Sequence, residues 1–92
     1  MIKSFKHKGL EKFFKKGITS GVDHSHVRKL RLMLAMLNAA QVATDMNAPG
    51  LGFHKLKGQR KEIYSVAVSG NWRITFKFKN SNAYIVNYED YH

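Results

Sequence analysis

The chain contains no cysteine, and that absence removes disulfides, thiol nucleophiles and thiolate metal sites together. It also fits a reducing compartment. Acidic residues are scarce: 6 Asp and Glu stand against 16 Lys and Arg, a formal charge of +10. On a small folded chain that imbalance points to a polyanionic partner, with nucleic acid ahead of an anionic membrane. Long apolar runs are missing too. Leu32 to Ala43 is the most apolar segment, but Asn38 and Gln41 interrupt it, and it is too short to span a bilayer. Lys3, Lys6 and Lys8 have no apolar stretch behind them, unlike a secretory leader. The expected setting is the cytoplasm, with no membrane partner.

What is present folds. Over 92 residues the apolar share is 43 % and the aromatic share 12 %, enough for one domain, residues 1–92, with a single two-layer core. The stretch from Asn71 to His92 organises it. Trp72, Ile74, Phe76 and Phe78 alternate with Arg73, Thr75, Lys77 and Lys79, which predicts a half-buried strand with one core face and one cationic face. An Asn-Ser-Asn turn follows. The chain then returns through Ala83 and stops on Asp90, Tyr91 and His92, three side chains able to handle protons.

The elements before it are legible by spacing. Met1 to Phe5 reads as a short edge strand. Lys8 to Lys16 reads as a helix, with Leu10, Phe13 and Phe14 on one side and Gly17 as its stop. Asp23 is a good N-cap for a longer helix, along which Val27, Leu30, Leu34 and Leu37 repeat at three and four residues. That helix is expected to reach Ala43 or Thr44, about 30 Å at about 1.5 Å per residue. Asn47, Pro49, Gly50 and Gly52 then make a loop. Short strands follow at Phe53 to Lys57 and Glu62 to Val68, with turns tight enough to demand antiparallel neighbours. The class is α+β, with N-terminal helices packed on one face of an antiparallel sheet. No second helix lies close to the first long one, which disfavours a helix-turn-helix DNA-binding regulator.

Histidines are the obvious proton carriers near neutral pH. His24 and His26 are expected to be exposed helix-start residues, and His7 lies among lysines. His54 and His92 keep better company. Cutting RNA without a metal needs a base for the 2′-hydroxyl, an acid for the leaving 5′-oxygen, and cations on the phosphorus. His54, Asp90, Tyr91 and His92 are candidates for the first two roles, and Lys57 and Arg73 for the third. In an ideal strand His54 and Lys57 would face opposite ways, so the strand must bend or end between them. Tyr64, Trp72, Tyr84 and Tyr88 are core by alternation, whereas Tyr91 is expected to be exposed enough to stack on a base. The same residues also suit a non-catalytic basic RNA-binding module.

The opening Met1-Ile-Lys-Ser-Phe-Lys-His-Lys-Gly-Leu10, the Leu56-Lys57-Gly58 turn, Asn71-Trp-Arg-Ile-Thr-Phe76 and the terminal Asn87-Tyr-Glu-Asp-Tyr-His92 resemble HigB toxins. These form the host-inhibition-of-growth branch of the RelE superfamily in bacterial type II toxin–antitoxin systems. The resemblance implies a microbial-ribonuclease-like fold. It implies an endoribonuclease that cuts messenger RNA in the ribosomal A site, needing neither metal nor cofactor. It carries His54, Asp90, Tyr91 and His92 over as catalytic positions, and Lys57 and Arg73 as phosphate-binding ones. Implied partners are messenger RNA, the ribosome's small-subunit decoding site and a HigA-type helix-turn-helix antitoxin, with DNA reached only through that antitoxin. Lys55 and Gln59 depart from the proline and aspartate of the family pattern.

Overall fold

Helix α1 spans Lys8–Lys16 in the computed structural model, which describes residues 1–60 and 62–90. His7 caps it, its Nδ1 accepting the Leu10 N–H at 2.9 Å. Gly17 ends it at φ 72°, a left-handed conformation that glycine adopts without a Cβ penalty. Helix α2 spans Val27–Ala39 and is shorter at both ends than its periodicity predicts. Asp23 does cap, but it accepts from Ser25 N–H at 2.8 Å and holds a separate 3₁₀ turn, His24–His26. At the other end Asp45 accepts the N–H groups of Gln41 and Val42 at 2.8 and 3.2 Å. An acid that takes those two amides removes donors that a longer helix would have used for its own ladder.

The sheet runs β1 (His54–Lys55), β2 (Ile63–Ser69), β3 (Trp72–Lys79) and β4 (Asn82–Asp90), each antiparallel to the next. Asn80 and Ser81 join β3 to β4 with φ of 52° and 63°, the double left-handed geometry of a two-residue hairpin that matches strand twist. The expected edge strand at Met1 to Phe5 appears as two parallel bridges, Ile2 to Ala83 and Phe5 to Val86. Lys3 N–H donates to Ala83 O at 2.8 Å and Val86 N–H to Ser4 O at 3.1 Å, so the N-terminal segment covers the outer edge of β4. That edge would otherwise be an open template for pairing.

One core joins the elements. Leu10 and Phe13 of α1 and Leu30, Met33, Leu34 and Leu37 of α2 are buried in a single cluster with Val66, Val68, Ile74, Phe76, Val86 and Tyr88. These are the core positions that alternation and helical spacing select, with Val86 and Tyr88 on the strand beyond. Tyr84 is the exception. The register shifts by one residue between Thr75 and Lys77, and Ile85 takes φ 47°. A bulge inserts an extra residue and turns the following side chains over. Ala83 therefore enters the core and Tyr84 stands beside Lys77 on the opposite face. Positive φ is unfavourable for a β-branched residue, and the Ile85 N–H is held by Ser4 Oγ at 2.8 Å. Among the described residues no helix is long and apolar enough to cross a membrane.

Candidate active site

Opposite the core, the sheet presents a second face whose rows follow from register. His54 pairs with Ser65 and Ser65 with Thr75, which pairs with Asn87. The next row sets Ala67 beside Arg73 and Arg73 beside Glu89. A third sets Ile63 beside Lys77 and Lys77 beside Tyr84. Because cross-strand partners share a face, His54 and Arg73 stand on the same side. Two strand spacings and two residues of rise put their Cα positions roughly 12 Å apart. A phosphodiester fits between side chains of that reach.

His54 is exposed at the start of β1, with Nδ1 3.0 Å from Gly52 O. A carbonyl oxygen only accepts, so Nδ1 carries the ring proton. Nε2 is then the nitrogen with the lone pair, the form a general base needs. Lys57 is exposed two residues beyond the end of β1. The strand does stop between them, and Gly58 at φ 72° begins a 3₁₀ turn, Gly58–Arg60. Arg73 is half-buried in β3. Asp90, exposed at the end of β4, pairs with Trp72 rather than with Arg73. Alternation thus assigns it to the other set of side chains, at a strand end open to solvent. Tyr91 and His92, the remaining predicted positions, lie outside the described residues.

Sequence reasoning missed the strongest electrostatic feature of this face. Arg60 donates to Glu89 through Nη1 to Oε1 at 3.2 Å and Nη2 to Oε2 at 2.6 Å, and Thr75 Oγ1 donates to the same carboxylate. Lys6, Ile63, Ile85 and Asn87 complete a cleft of about 150 Å³ around them. Burial pushes the Glu89 carboxyl up, but hydrogen bonds from Arg60, Thr75 and Asn87 outweigh it and hold the group below the usual glutamate range. Alternation alone would have set Glu89 with Arg73 and Thr75 as an acid among cations. Its partner lies in a loop whose path no periodicity reveals.

On the core side the structure corrects a second expectation. His26 is not exposed; it is 5 % accessible. The Tyr88 hydroxyl accepts the Asp23 N–H at 3.3 Å and lies 2.6 Å from His26 Nδ1. Burial raises the Tyr88 pKa, so the phenol keeps its proton in this contact. Edge contacts with Trp72 and Tyr88, at 5.8 and 5.9 Å between centroids, fix the ring. His7, whose Nδ1 caps α1, meets Tyr88 at 5.4 Å. His24 remains exposed, as expected. Among the described residues no three His, Asp or Glu side chains gather as a metal site requires.

Comparison with known proteins now bears on this geometry. The model for the HigB-like toxins, RelE-like toxins of type II toxin–antitoxin systems, matches residues 3–92. The chain belongs to the HigB-like toxin family. A curated relative from Proteus vulgaris, endoribonuclease HigB, is 49 % identical over 92 residues and covers 100 % of both chains. The HigB-like match spans His54, Lys57, Arg73 and Asp90 together with Tyr91 and His92. It also takes in Arg60 and Glu89, so the cleft and the predicted site fall in one matched segment.

Proposed function

We propose that this HigB-like chain, acting as one domain over residues 1–92, is an endoribonuclease that cuts messenger RNA in the A site of a translating ribosome, without a metal. The observation that carries the proposal is that His54 and Arg73 share one sheet face, with the His54 lone pair at Nε2. His54 Nε2 takes the proton of a 2′-hydroxyl, and the freed oxygen attacks the adjacent phosphorus. Lys57 and Arg73 stabilise the charge that gathers on the phosphate oxygens. As the bond to the 5′-oxygen breaks, a proton from the tail of Asp90, Tyr91 and His92 goes to the leaving group. The products are a 2′,3′-cyclic phosphate and a 5′-hydroxyl.

The charge of +10 favours docking among ribosomal RNA phosphates, with an affinity that falls as salt rises. A HigA-type antitoxin partner, a cytoplasmic setting and a microbial-ribonuclease-like arrangement, with α1 and α2 against the core face of the sheet, belong to the same proposal. The shared cluster of helix and strand side chains supports that last part. The test induces His54→Ala and His92→Ala separately and follows growth arrest and transcript ends with and without ribosomes and EDTA. Loss of cleavage by roughly a hundredfold or more in each supports the assignment. Full cleavage in both variants removes the histidines from the chemistry, and intact transcripts with the wild-type protein leave an RNA-binding module.

A further inference from the structure

The cations of this chain are mostly solvated, and two other ion pairs among the described residues show what an ordinary surface contact looks like here. Lys15 with Glu11 and Lys77 with Glu62 are single-point contacts, at 2.8 and 3.4 Å, in which the least exposed side chain still shows 36 %. The Arg60–Glu89 pair differs in three ways. It is bidentate, and its carboxylate is only 21 % exposed. A third donor comes from Thr75, itself 2 % accessible. It also joins two parts of the chain that are 29 residues apart. Arg60 closes the turn that begins directly after Lys57, and Glu89 immediately precedes Asp90. The contact therefore ties the turn before β2 to β4, beside Thr75 of β3.

A planar fork on a carboxylate fixes orientation as well as distance. The contact ties the two segments that flank the site, and it commits a cation on a face that has to meet a polyanion. We propose that Arg60 and Glu89 are a positioning pair for RNA cleavage, a strut that holds the Lys57 turn and the Asp90 end of β4 in register across the open face. The proposal rests on the endoribonuclease reading above. Arg60 is then spoken for by Glu89 and does not bind the scissile phosphate, and Glu89 does not transfer a proton.

The test compares the full-length wild-type protein with Glu89→Gln and Arg60→Lys in single-turnover cleavage of a messenger RNA on ribosomes. A strut predicts a cleavage rate constant lower by roughly tenfold to a hundredfold. The half-saturating concentration, the salt dependence and the shape of the pH–rate profile stay as in the wild type. A weaker binding curve or a shallower salt slope at unchanged rate would make Arg60 an RNA contact and overturn the proposal. Loss of one limb of the pH profile in Glu89→Gln would make Glu89 an acid or base and overturn it equally. Should Glu89→Gln fail to fold, Arg60→Lys carries the same readouts, since it keeps the charge and loses only the fork. A wild-type protein that leaves RNA intact defeats the endoribonuclease reading. An active wild type with both variants fully active defeats the strut alone.

Discussion

His26 and His54 are the same side chain in opposite settings, on opposite faces of one sheet. His26 is enclosed by Trp72 and Tyr88, and its Nδ1 lies 2.6 Å from the Tyr88 hydroxyl. His54 stands in solvent, gives its own Nδ1 proton to Gly52 O, and among the described residues has no partner at Nε2. A ring whose hydrogen bonds are met inside the protein contributes packing and rigidity. A ring with one nitrogen anchored and the other left to solvent suits the base role proposed for His54. Exposure alone does not separate the two uses, because His24 is exposed and unanchored as well. What separates them is which nitrogen the protein engages, and whether the remaining one faces a place where charge can develop.

If that distinction holds, variants on the two faces fail differently. On the open face His54→Asn keeps an amide N–H to reach the Gly52 carbonyl but supplies no base. Its cleavage is expected to fall about a hundredfold or more, with the melting temperature unchanged; equal cleavage rates would break the comparison. On the core side His26→Ala is expected to cost about 3 kcal/mol, read from denaturant midpoints, through lost aromatic packing and one lost partner of the Tyr88 hydroxyl. Next to His7, a Cβ added at Gly9 would lie 2.8 Å from the Gly21 carbonyl oxygen and 3.0 Å from His7 Cε1. Gly9→Ala is therefore expected to lose about 2 kcal/mol of stability by forcing two backbones apart, and unaltered thermal unfolding would refute that contact.

The smallest effect concerns pH. Burial lowers the His7 pKa, against a smaller opposing effect from its own backbone, and the capping bond requires its unprotonated Nδ1. The unfolded chain therefore binds this proton first as pH falls. His7 contributes its full share of stability above about pH 6.5, and that share is lost as acid takes the pH down through the lowered folded value. His7→Asn keeps a cap without the titration. Its melting temperature is expected to fall less than that of the wild type between pH 7.5 and 5.5, roughly the range an ordinary imidazole titrates over. Parallel declines would assign the acid sensitivity elsewhere.

Much of this was legible in one dimension because it is written as period. The alternation from Trp72 to Lys79 and the apolar spacing of α1 translate directly into buried Ile74, Phe76, Leu10 and Phe13. The length of α2 was not, because Asp45 competes for amides from outside the periodic stretch. Nor was the placement of Tyr84, since a single bulge at Ile85 reverses a face without marking the sequence. His7 as a cap, His26 as a buried ring and the Gly9–Gly21 contact depend on what the third dimension sets beside them. The candidate site divides the same way. His54 and Arg73 were each legible as candidates by residue type, whereas their shared face follows from register and the Arg60–Glu89 contact is long-range, so both needed coordinates.

The most direct test is the tautomer of each imidazole, read by long-range ¹H–¹⁵N correlation in mildly alkaline solution. The hydrogen bonds predict His54 protonated at Nδ1 with a bare Nε2, and His7 protonated at Nε2 with Nδ1 accepting. Finding the His54 proton on Nε2 would leave the proposed base without its lone pair and contradict the division between the two faces.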